Sequence, residues 1–237
     1  MQRQNGKENG RAVVEARNLT KIYGRDNVVT PALDGINLTI TEGEFVAIVG
    51  PSGSGKSTLL NMLGALDTPT SGTVFIDGTD ITSLSGTQLA KLRNSKIGFI
   101  FQSFNLVPRM NALNNVMLPL SIRGVPLEER RPRALKMLDL VGLGNKADSR
   151  PSEMSGGEQQ RVAVARALVT WPSIILGDEP SGNLDSKNTA SLVELLRKLN
   201  GYGLTIIVVT HNLEVANHTN RIISMRDGQI ETDRLIL

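Results

Sequence analysis

The apolar residues of this chain fall into short runs that are separated by polar and turn-forming segments. Four of the runs are continuous rather than alternating, which is typical of parallel strands buried on both faces. They occupy residues 97–101, 174–176, 205–209 and 222–225. A further run, 45–49, leads directly into a glycine-rich segment. The pattern predicts an α/β core with a mostly parallel sheet.

The region before residue 80 has a different pattern. Between Val13 and Val49, short β-like pieces are broken by turn signals at residues 34–35 and 42–43, and another strand-like piece at 73–78 ends in Asp-Gly. We therefore expect an antiparallel β-subdomain beside the parallel sheet.

Helical periodicity dominates the stretch between the first two buried runs. Its segments, 112–122, 127–141 and 156–169, predict an α-helical subdomain inserted at approximately residues 103–170. Pro132 lies inside the second segment, where we expect it to kink the helix or to mark its true start. Residues 1–10 are almost wholly polar and predict a disordered leader, ahead of a single domain at 11–237.

Composition narrows the function. With 237 residues, 40% of them hydrophobic, the chain can bury a full core. It has no cysteine, and no apolar run approaches the roughly 20 residues of a membrane span, so we expect a soluble chain without disulfides. The net charge of +3 and the pI near 9.3 are only mildly basic, and we expect no nucleic-acid partner.

The run 45–49 is followed by a segment that matches the pattern G-x-x-x-x-G-K-[ST] in full. Glycines in such a bend let backbone N–H groups point at phosphate, and the helix that follows adds its positive end. Lys56 is expected to neutralise the β- and γ-phosphates, and the Ser57 hydroxyl to bind Mg²⁺. The segment predicts a nucleotide site without fixing its chemistry. Its residues are Gly50, Pro51, Ser52, Gly53, Ser54, Gly55, Lys56, Ser57 and Thr58.

Two adjacent carboxylates, Asp178 and Glu179, follow the run that begins at residue 174. Successive strand residues point to opposite sides, so the two acids are expected to have different roles. We assign Asp178 to Mg²⁺, through a coordinated water, and Glu179 to orienting or deprotonating the attacking water. A polar strand exit punctuated by Pro180 is the alternative.

A third segment opens a helical pattern with Ser155, Gly156 and Gly157. A serine and two glycines at a helix start can accept an anion. Taken alone, such a segment is more often a linker or a helix cap, so its function depends on its setting.

Together these segments resemble the ATP-binding cassette (ABC) ATPases, whose signature Leu-Ser-Gly-Gly-Gln corresponds to residues 154–158. The motifs occur in the family's order: the P-loop at 50–58, Gln102, the signature, the paired acids, the segment 181–185 and His211. The similarity covers roughly residues 13–232. The resemblance implies a P-loop NTPase core of the ABC type, ATP and Mg²⁺ as cofactors, and ATP hydrolysis.

The resemblance also implies an ATP-dependent homodimer. Two cassettes of the family enclose two ATP molecules head to tail. Ser155 and Gly157, with Gly156 between them, would therefore bind the γ-phosphate that the P-loop of a second copy holds.

Four more residues receive roles from the resemblance. Tyr23 corresponds to the aromatic residue that stacks on adenine, and its alternative role is to fill a sheet edge. Gln102 corresponds to the residue that contacts Mg²⁺ or the attacking water, and His211 to the histidine that holds the γ-phosphate. Asp185 corresponds to the aspartate that links the two sites, and it can also cap the following helix.

Four positions depart from the family's usual residues. They are Met154 in place of leucine, Glu158 in place of glutamine, Gly177 in place of alanine or another small apolar residue, and Asn212 in place of aspartate. None of these changes removes a group assigned to phosphate, metal or water, so we expect the chain to be active.

Segments 66–72, 114–120 and 178–185 look like those of the lipoprotein-releasing, macrolide-exporter and cell-division cassettes (LolD, MacB and FtsE). Such cassettes pair with membrane proteins of four transmembrane helices per subunit. We expect a partner of this kind to dock on the segment after Gln102 and to hold the chain at the cytoplasmic face of the inner membrane.

Three other functions compete with this one. They are a non-hydrolysing regulatory cassette, a soluble ABC protein of translation or DNA repair, and a P-loop kinase. Glu179 and His211 argue against the first. The second usually carries two cassettes or a long coiled coil, and a kinase would have no use for the signature segment.

Overall fold

The computed structural model describes residues 10–25 and 28–236. Of the predicted leader, residues 1–9 lie outside this range and Gly10 is exposed. The strands of the described chain are β1 (Ala12–Arg25), β2 (Val28–Thr41), β3 (Phe45–Val49), β4 (Ser71–Ile76), β5 (Thr79–Asp80), β6 (Ile97–Phe101), β7 (Ile174–Asp178), β8 (Thr205–Val209), β9 (Arg221–Arg226) and β10 (Gln229–Leu235). Its α-helices are α1 (Lys56–Leu63), α2 (Gly86–Lys96), α3 (Ala112–Ile122), α4 (Leu127–Leu140), α5 (Gly156–Leu168), α6 (Ser186–Gly201) and α7 (Leu213–Ala216).

Six strands form one sheet in the order β10-β9-β3-β8-β7-β6. The five strands from β9 to β6 are parallel, and β10 pairs antiparallel with β9 at the edge. The predicted mostly parallel sheet is confirmed. Its strands read as continuous apolar runs because both faces of the sheet are covered.

Each central strand contributes to two cores, since its side chains alternate between the faces of the sheet. In β8, Ile206 and Val208 pack with apolar residues of the helical insertion and of α6, whereas Ile207 and Val209 pack with α1 and the second sheet. All four side chains are at most 1% exposed. The sheet therefore separates the helical layer from the antiparallel layer.

The second sheet has the order β2-β1-β4-β5, and its strands are antiparallel. This is the predicted antiparallel subdomain. Helix α1 lies between the two sheets and buries Leu59, Leu60, Met62 and Leu63 there. The two sheets thus fix the position of α1, and with it the end of the segment that precedes α1.

Helices α3, α4 and α5 pack against one another and form the helical insertion of the predicted fold class. Leu113, Val116 and Leu120 on α3 are at most 1% exposed, as expected for core residues. Helix α4 begins at Leu127 and continues through Pro132, so this proline does not mark the helix start. Proline in the second turn removes only one helical hydrogen bond, and the packed helix tolerates that loss. In residues 10–25 and 28–236, no helix has both the length and the apolar character needed to cross a bilayer.

Candidate nucleotide site

Most of the candidate residues meet at one edge of the six-stranded sheet. Neighbouring parallel strands present their carboxyl ends at the same edge, where ligands of α/β proteins commonly bind. Strands β3, β8, β7 and β6 are neighbours, and each is followed by a predicted site segment. These segments are the glycine-rich loop, His211, Glu179 and Gln102, in that spatial order.

The glycine-rich loop depends on three glycines with positive φ. A Cβ atom on Gly50 (φ +150°) would lie 2.3 Å from the carbonyl oxygen of Met225, and one on Gly55 (φ +98°) would lie 2.4 Å from that of Ala32. Gly53 (φ +81°) has open space around it. Conformation and space therefore both require glycine at two of the positions, and conformation alone requires it at the third.

Gly55 is the N-cap residue of helix α1 and provides no side-chain cap, which leaves the first N–H groups of the helix available to a ligand. The Nζ atom of Lys56 lies 2.8 Å from the carbonyl oxygens of Gly50 and Pro51, so the ammonium stays at the loop. Ser57 is exposed. In the described part of the chain, the buried Ser54 hydroxyl has no hydrogen-bond partner. These donors fit the phosphates of a nucleotide.

Asp178 ends β7 near the loop lysine. Burial raises the pKa of Asp178, the negative charge of Glu179 raises it further, and the Lys56 ammonium opposes both effects. A divalent cation between Asp178 and Ser57 would favour the ionised carboxylate. Hydroxyl and carboxylate oxygens are ligands that Mg²⁺ accepts, so this pair fits the metal.

Glu179 does not continue the strand. Its φ of 45° lies in the left-handed region, which is rare for residues other than glycine. Its N–H donates to the Val209 oxygen at 2.9 Å, and its carbonyl accepts from Gly182 N–H at 2.9 Å. Strand alternation is therefore the wrong reason for the divergence of the two acids, because β7 ends at Asp178. A left-handed turn gives Glu179 a partner of its own.

That partner is His211. Its Nδ1 lies 2.8 Å from Oε1 of Glu179, and its backbone N–H lies 3.4 Å from Oε2. A carboxylate can only accept, so Nδ1 carries the proton in this contact. This contact fixes the Glu179 carboxylate just after the end of β7. In the sheet, β8 lies between β7 and β3.

Gln102 lies beside the same turn. The side-chain Nε2 of Gln102 is 3.4 Å from Oδ1 of Asn183, and the backbone carbonyl oxygen of Gln102 accepts from Nδ2 of Asn183 at 3.1 Å. A Cβ atom on Gly182 would lie 2.7 Å from Nε2 of Gln102. The glutamine is therefore packed against the segment between Glu179 and Asp185.

The predicted signature segment forms the N-terminus of α5. Ser155 caps the helix by accepting from the N–H of Glu158 at 3.2 Å, and the Glu158 carboxylate accepts from the N–H of Ser155 at 2.8 Å. This hydrogen bond, more than any other interaction, lowers the pKa of Glu158. The Glu158 departure thus completes a capping box.

Gly157 connects this helix to α6. A Cβ atom on Gly157 would lie 2.1 Å from Oδ1 of Asn188, whose N–H and Nδ2 both donate to Asp185. Asp185 caps α6, as its position predicted. A Cβ atom on Gly156 would make only ordinary contacts, the nearest at 3.7 Å to the Phe104 ring. In the described chain no hydrogen bond joins residues 154–158 to residues 50–58.

Tyr23 is 44% exposed on β1. Its hydroxyl donates to Oδ2 of Asp67 at 2.9 Å, and the ammonium of Lys21 lies 5.0 Å from its ring. Burial, and then the Asp67 contact, raise the pKa of Tyr23, and the Thr58 hydroxyl acts in the opposite direction.

A protein-family model described as ABC transporter matches residues 33–182. The chain belongs to the ABC transporter family. It is therefore an ATP-binding ATPase that uses ATP with Mg²⁺, as the sequence predicted.

Relatives of this ABC cassette support the assignment. A Thermotoga maritima protein described as an uncharacterized ABC transporter ATP-binding protein is 52% identical over 92% of the chain and 94% of its own length. The macrolide export ATP-binding/permease protein MacB of Brucella melitensis is 48% identical over 94% of the chain, which spans 35% of that protein. The cassette MJ0796 of Methanocaldococcus jannaschii, solved as a dimer bound to ADP and Pi, has a TM-score of 0.86 at 48% identity, with 94% of this chain and 99% of that chain covered.

The contacts of two polar side chains on α5 were not predicted from the sequence. Gln160 on α5 donates to the carbonyl oxygen of Pro180, and Arg166 donates to those of Phe104 and Asn105. The available signal was a polar residue at a core position of an apolar helix. The sequence could not show which backbone carbonyls would face it.

Proposed function

We propose that this chain is the ATP-hydrolysing subunit of a membrane transporter or mechanotransmission complex, in which two copies close head to tail around two ATP molecules. One observation carries the proposal. The P-loop and the Glu179–His211 pair share a sheet edge, whereas the signature helix start makes no hydrogen bond to the P-loop within the described protomer. A second copy is the natural source of the missing half.

In each half, the loop backbone and Lys56 bind the β- and γ-phosphates. Ser57 and Asp178 would hold Mg²⁺, and Gln102 would reach the metal or the attacking water. Mg²⁺ neutralises charge on the phosphate oxygens when bound. Glu179 accepts the proton of the water that attacks the γ-phosphorus, and ADP leaves with the bridging oxygen.

His211 orients Glu179 through the 2.8 Å contact and is available to the γ-phosphate. The second copy contributes its signature segment, with the Ser155 hydroxyl and the N–H groups of Gly156 and Gly157 as donors. Asp185 accepts a hydrogen bond from Asn188, and the Asn188 side chain packs against Gly157. Through this contact Asp185 supports communication between the two sites. Tyr23 receives the adenine ring on its exposed face.

The membrane partner docks in a cleft of about 440 Å³ between the sheet and the helical insertion. Apolar residues such as Phe99, Leu118 and Ile122 line the cleft together with Arg166. Because Arg166 also holds the carbonyls after Gln102, a helix inserted there contacts the catalytic segment indirectly. The partner has four transmembrane helices per copy and keeps the cassette at the cytoplasmic face of the inner membrane.

Glu179→Gln tests the dimer and the base together. We expect the rate of ATP hydrolysis to fall at least about 100-fold, because a general base typically contributes that much. ATP should then trap a dimer of twice the 25.6 kDa chain mass in light scattering. Glu194→Gln removes an exposed carboxylate away from the site, on α6, and serves as the control. A Glu179→Gln variant that stays monomeric at saturating ATP contradicts the head-to-tail arrangement.

The partner assignment needs a separate experiment. A tagged chain extracted from native membranes in mild detergent should co-purify with a membrane protein of four predicted transmembrane helices. Ile122→Asp, at the exposed rim of the cleft, should reduce that recovery without changing basal ATPase activity. Recovery of ribosomal or DNA-repair proteins instead would refute the membrane assignment.

A further inference from the structure

Helix α5 contains one fully buried polar side chain in the described structure, that of Gln160. Its Nε2 donates to the carbonyl oxygen of Pro180 and lies 3.5 Å from the carbonyl oxygen of Phe101. Both neighbours are acceptors, so only the NH₂ end of the amide can face them.

The two carbonyls flank the catalytic side chains. Pro180 directly follows Glu179, and Phe101 directly precedes Gln102. The Gln160 amide on α5, the helix that begins with the signature segment, therefore contacts two catalytic segments. One carries the proposed base, Glu179, and the other carries the proposed water ligand, Gln102.

The Pro180 contact supports a strained part of the chain. Glu179 has a φ of 45°, a conformation that persists only where the surroundings fix it. The next residue, Pro180, has no N–H, so its carbonyl is the one backbone group of Pro180 that can form a hydrogen bond with a neighbour. Gln160 donates that hydrogen bond.

A second observation argues against a purely structural role. The Oε1 atom of Gln160 is buried and has no partner among the described residues. An unpaired buried carbonyl is destabilising, and an apolar side chain would fill a core position without it.

We propose that Gln160 is a positioning residue for hydrolysis, which transmits the position of the signature helix to Glu179 and Gln102. The inference rests on the proposed function, in which α5 binds the ATP held by the opposite copy. ATP at one site then adjusts the base of the other site through α5, since the signature and Glu179 of one chain serve different nucleotides.

Gln160→Met keeps the side-chain size and removes both hydrogen bonds. We expect kcat to fall at least about tenfold, with the KM for ATP unchanged within about twofold. ATP should still trap a dimer in the Glu179→Gln/Gln160→Met double variant, because the groups that bind phosphate are intact. Gln159→Met is the matched control. The Nε2 atom of Gln159 donates to the Met154 oxygen at 3.1 Å, and no hydrogen bond in the described chain joins this side chain to either catalytic segment.

Gln160→Glu provides a second readout, which holds even if the methionine variant does not fold. A protonated carboxyl can donate to the Pro180 oxygen, whereas an ionised one is repelled by it. The ratio of kcat for Gln160→Glu to kcat for the unaltered chain should therefore rise at least about threefold as the pH falls from about 8 to about 6. The unaltered chain carries every other titratable group of the variant, so the titration that the two proteins share is divided out in the ratio. The titratable groups within two residues of Gln160 or Pro180 are Glu158, Arg161, Asp178 and Glu179, and His211 contacts Glu179.

Three outcomes would overturn the inference. They are a Gln160→Met kcat within twofold of the unaltered chain, a loss that lies in KM or in dimer formation alone, and a flat pH ratio for Gln160→Glu. If Glu179→Gln alone fails to dimerise, the proposed function fails first. If it dimerises and the Gln160 variants hydrolyse normally, only the positioning role is rejected.

Discussion

Two helix N-termini in this cassette are predicted to bind phosphate, and they are built differently. Helix α1 starts at a left-handed glycine, Gly55, and has no side-chain cap. Helix α5 starts at Ser155 in an extended conformation and is closed by a capping box with Glu158. The first helix start leaves its N–H groups to a ligand, whereas the second satisfies part of its own requirement.

This difference separates two tasks. An uncapped N-terminus that also has an ammonium beside it can bind phosphate within a single chain. A capped N-terminus is stable alone and contributes only when another molecule brings a phosphate to it. The comparison predicts that damage to the two ends will affect different steps, binding at α1 and assembly or turnover at α5.

Lys56→Ala should give the largest effect. The lysine supplies charge-assisted hydrogen bonds to phosphate, and their loss should weaken ATP binding at least about 100-fold. Equilibrium titration with a fluorescent ATP analogue would measure this change, and adenosine should bind equally to both proteins.

Lys91→Ala removes one positive charge from an exposed position on α2 and controls for net charge. An undiminished ATP affinity in Lys56→Ala would show that the lysine does not contact phosphate, and the contrast between the two helix starts would then be lost.

Gly157→Ala should have an intermediate effect at the other end. The new Cβ would overlap the Asn188 amide, which Asp185 holds in place, so unfolding free energy should fall by about 1–3 kcal/mol. Urea denaturation would measure this loss. ATP affinity of the monomer should stay unchanged.

Asn188→Ala in the same chain removes the clash and tests its cause. The double variant should recover most of the stability that Gly157→Ala loses, less the value of the Asp185 contacts. If the double variant is no more stable than Gly157→Ala, the overlap with Asn188 is not the reason that glycine is needed there.

Glu158→Gln should give the smallest effect. The pKa of Glu158 is lowered in the folded chain, so its carboxylate contributes stability above the unfolded pKa and loses that contribution as the pH falls through the folded pKa. The side chain is partly exposed, and we expect a difference of about 0.5 kcal/mol at neutral pH that shrinks as the pH falls below about 4.3, the ordinary pKa of glutamate. Urea midpoints across this pH range would detect it, and a constant difference would contradict the sign of the shift.

Much of the site could be predicted because it depends on local sequence. The glycine loop, the strand that precedes it and the paired acids each require residue types at fixed spacing, and the parallel order of the strands then brings them to one edge. Helix α3 begins and ends where the apolar pattern does, at Ala112 and Ile122. The roles of the site residues remain predictions.

The remaining features depend on contacts between distant parts of the chain. Nothing local shows that Glu179 leaves the strand at φ 45°, since glutamate rarely adopts that conformation. The Gln160 contact joins residues 20 positions apart, and the Gly157–Asn188 contact joins two helices. At Pro132 the sequence left a kink and a helix start as alternatives, and the structure shows that the helix start lies earlier, at Leu127.

The uncapped start of α1 also makes the cell's nucleotide pool part of the cassette's thermodynamic stability. A ligand that binds only the folded chain adds about 2.7 kcal/mol at a concentration 100 times its dissociation constant. The N–H groups at this uncapped start, and the buried Ser54 hydroxyl that has no partner among the described residues, are sites where such binding offsets a cost already present in the fold. Loss of bound nucleotide would then expose the cassette to proteolysis, so its abundance would depend on the nucleotide concentration of the cell.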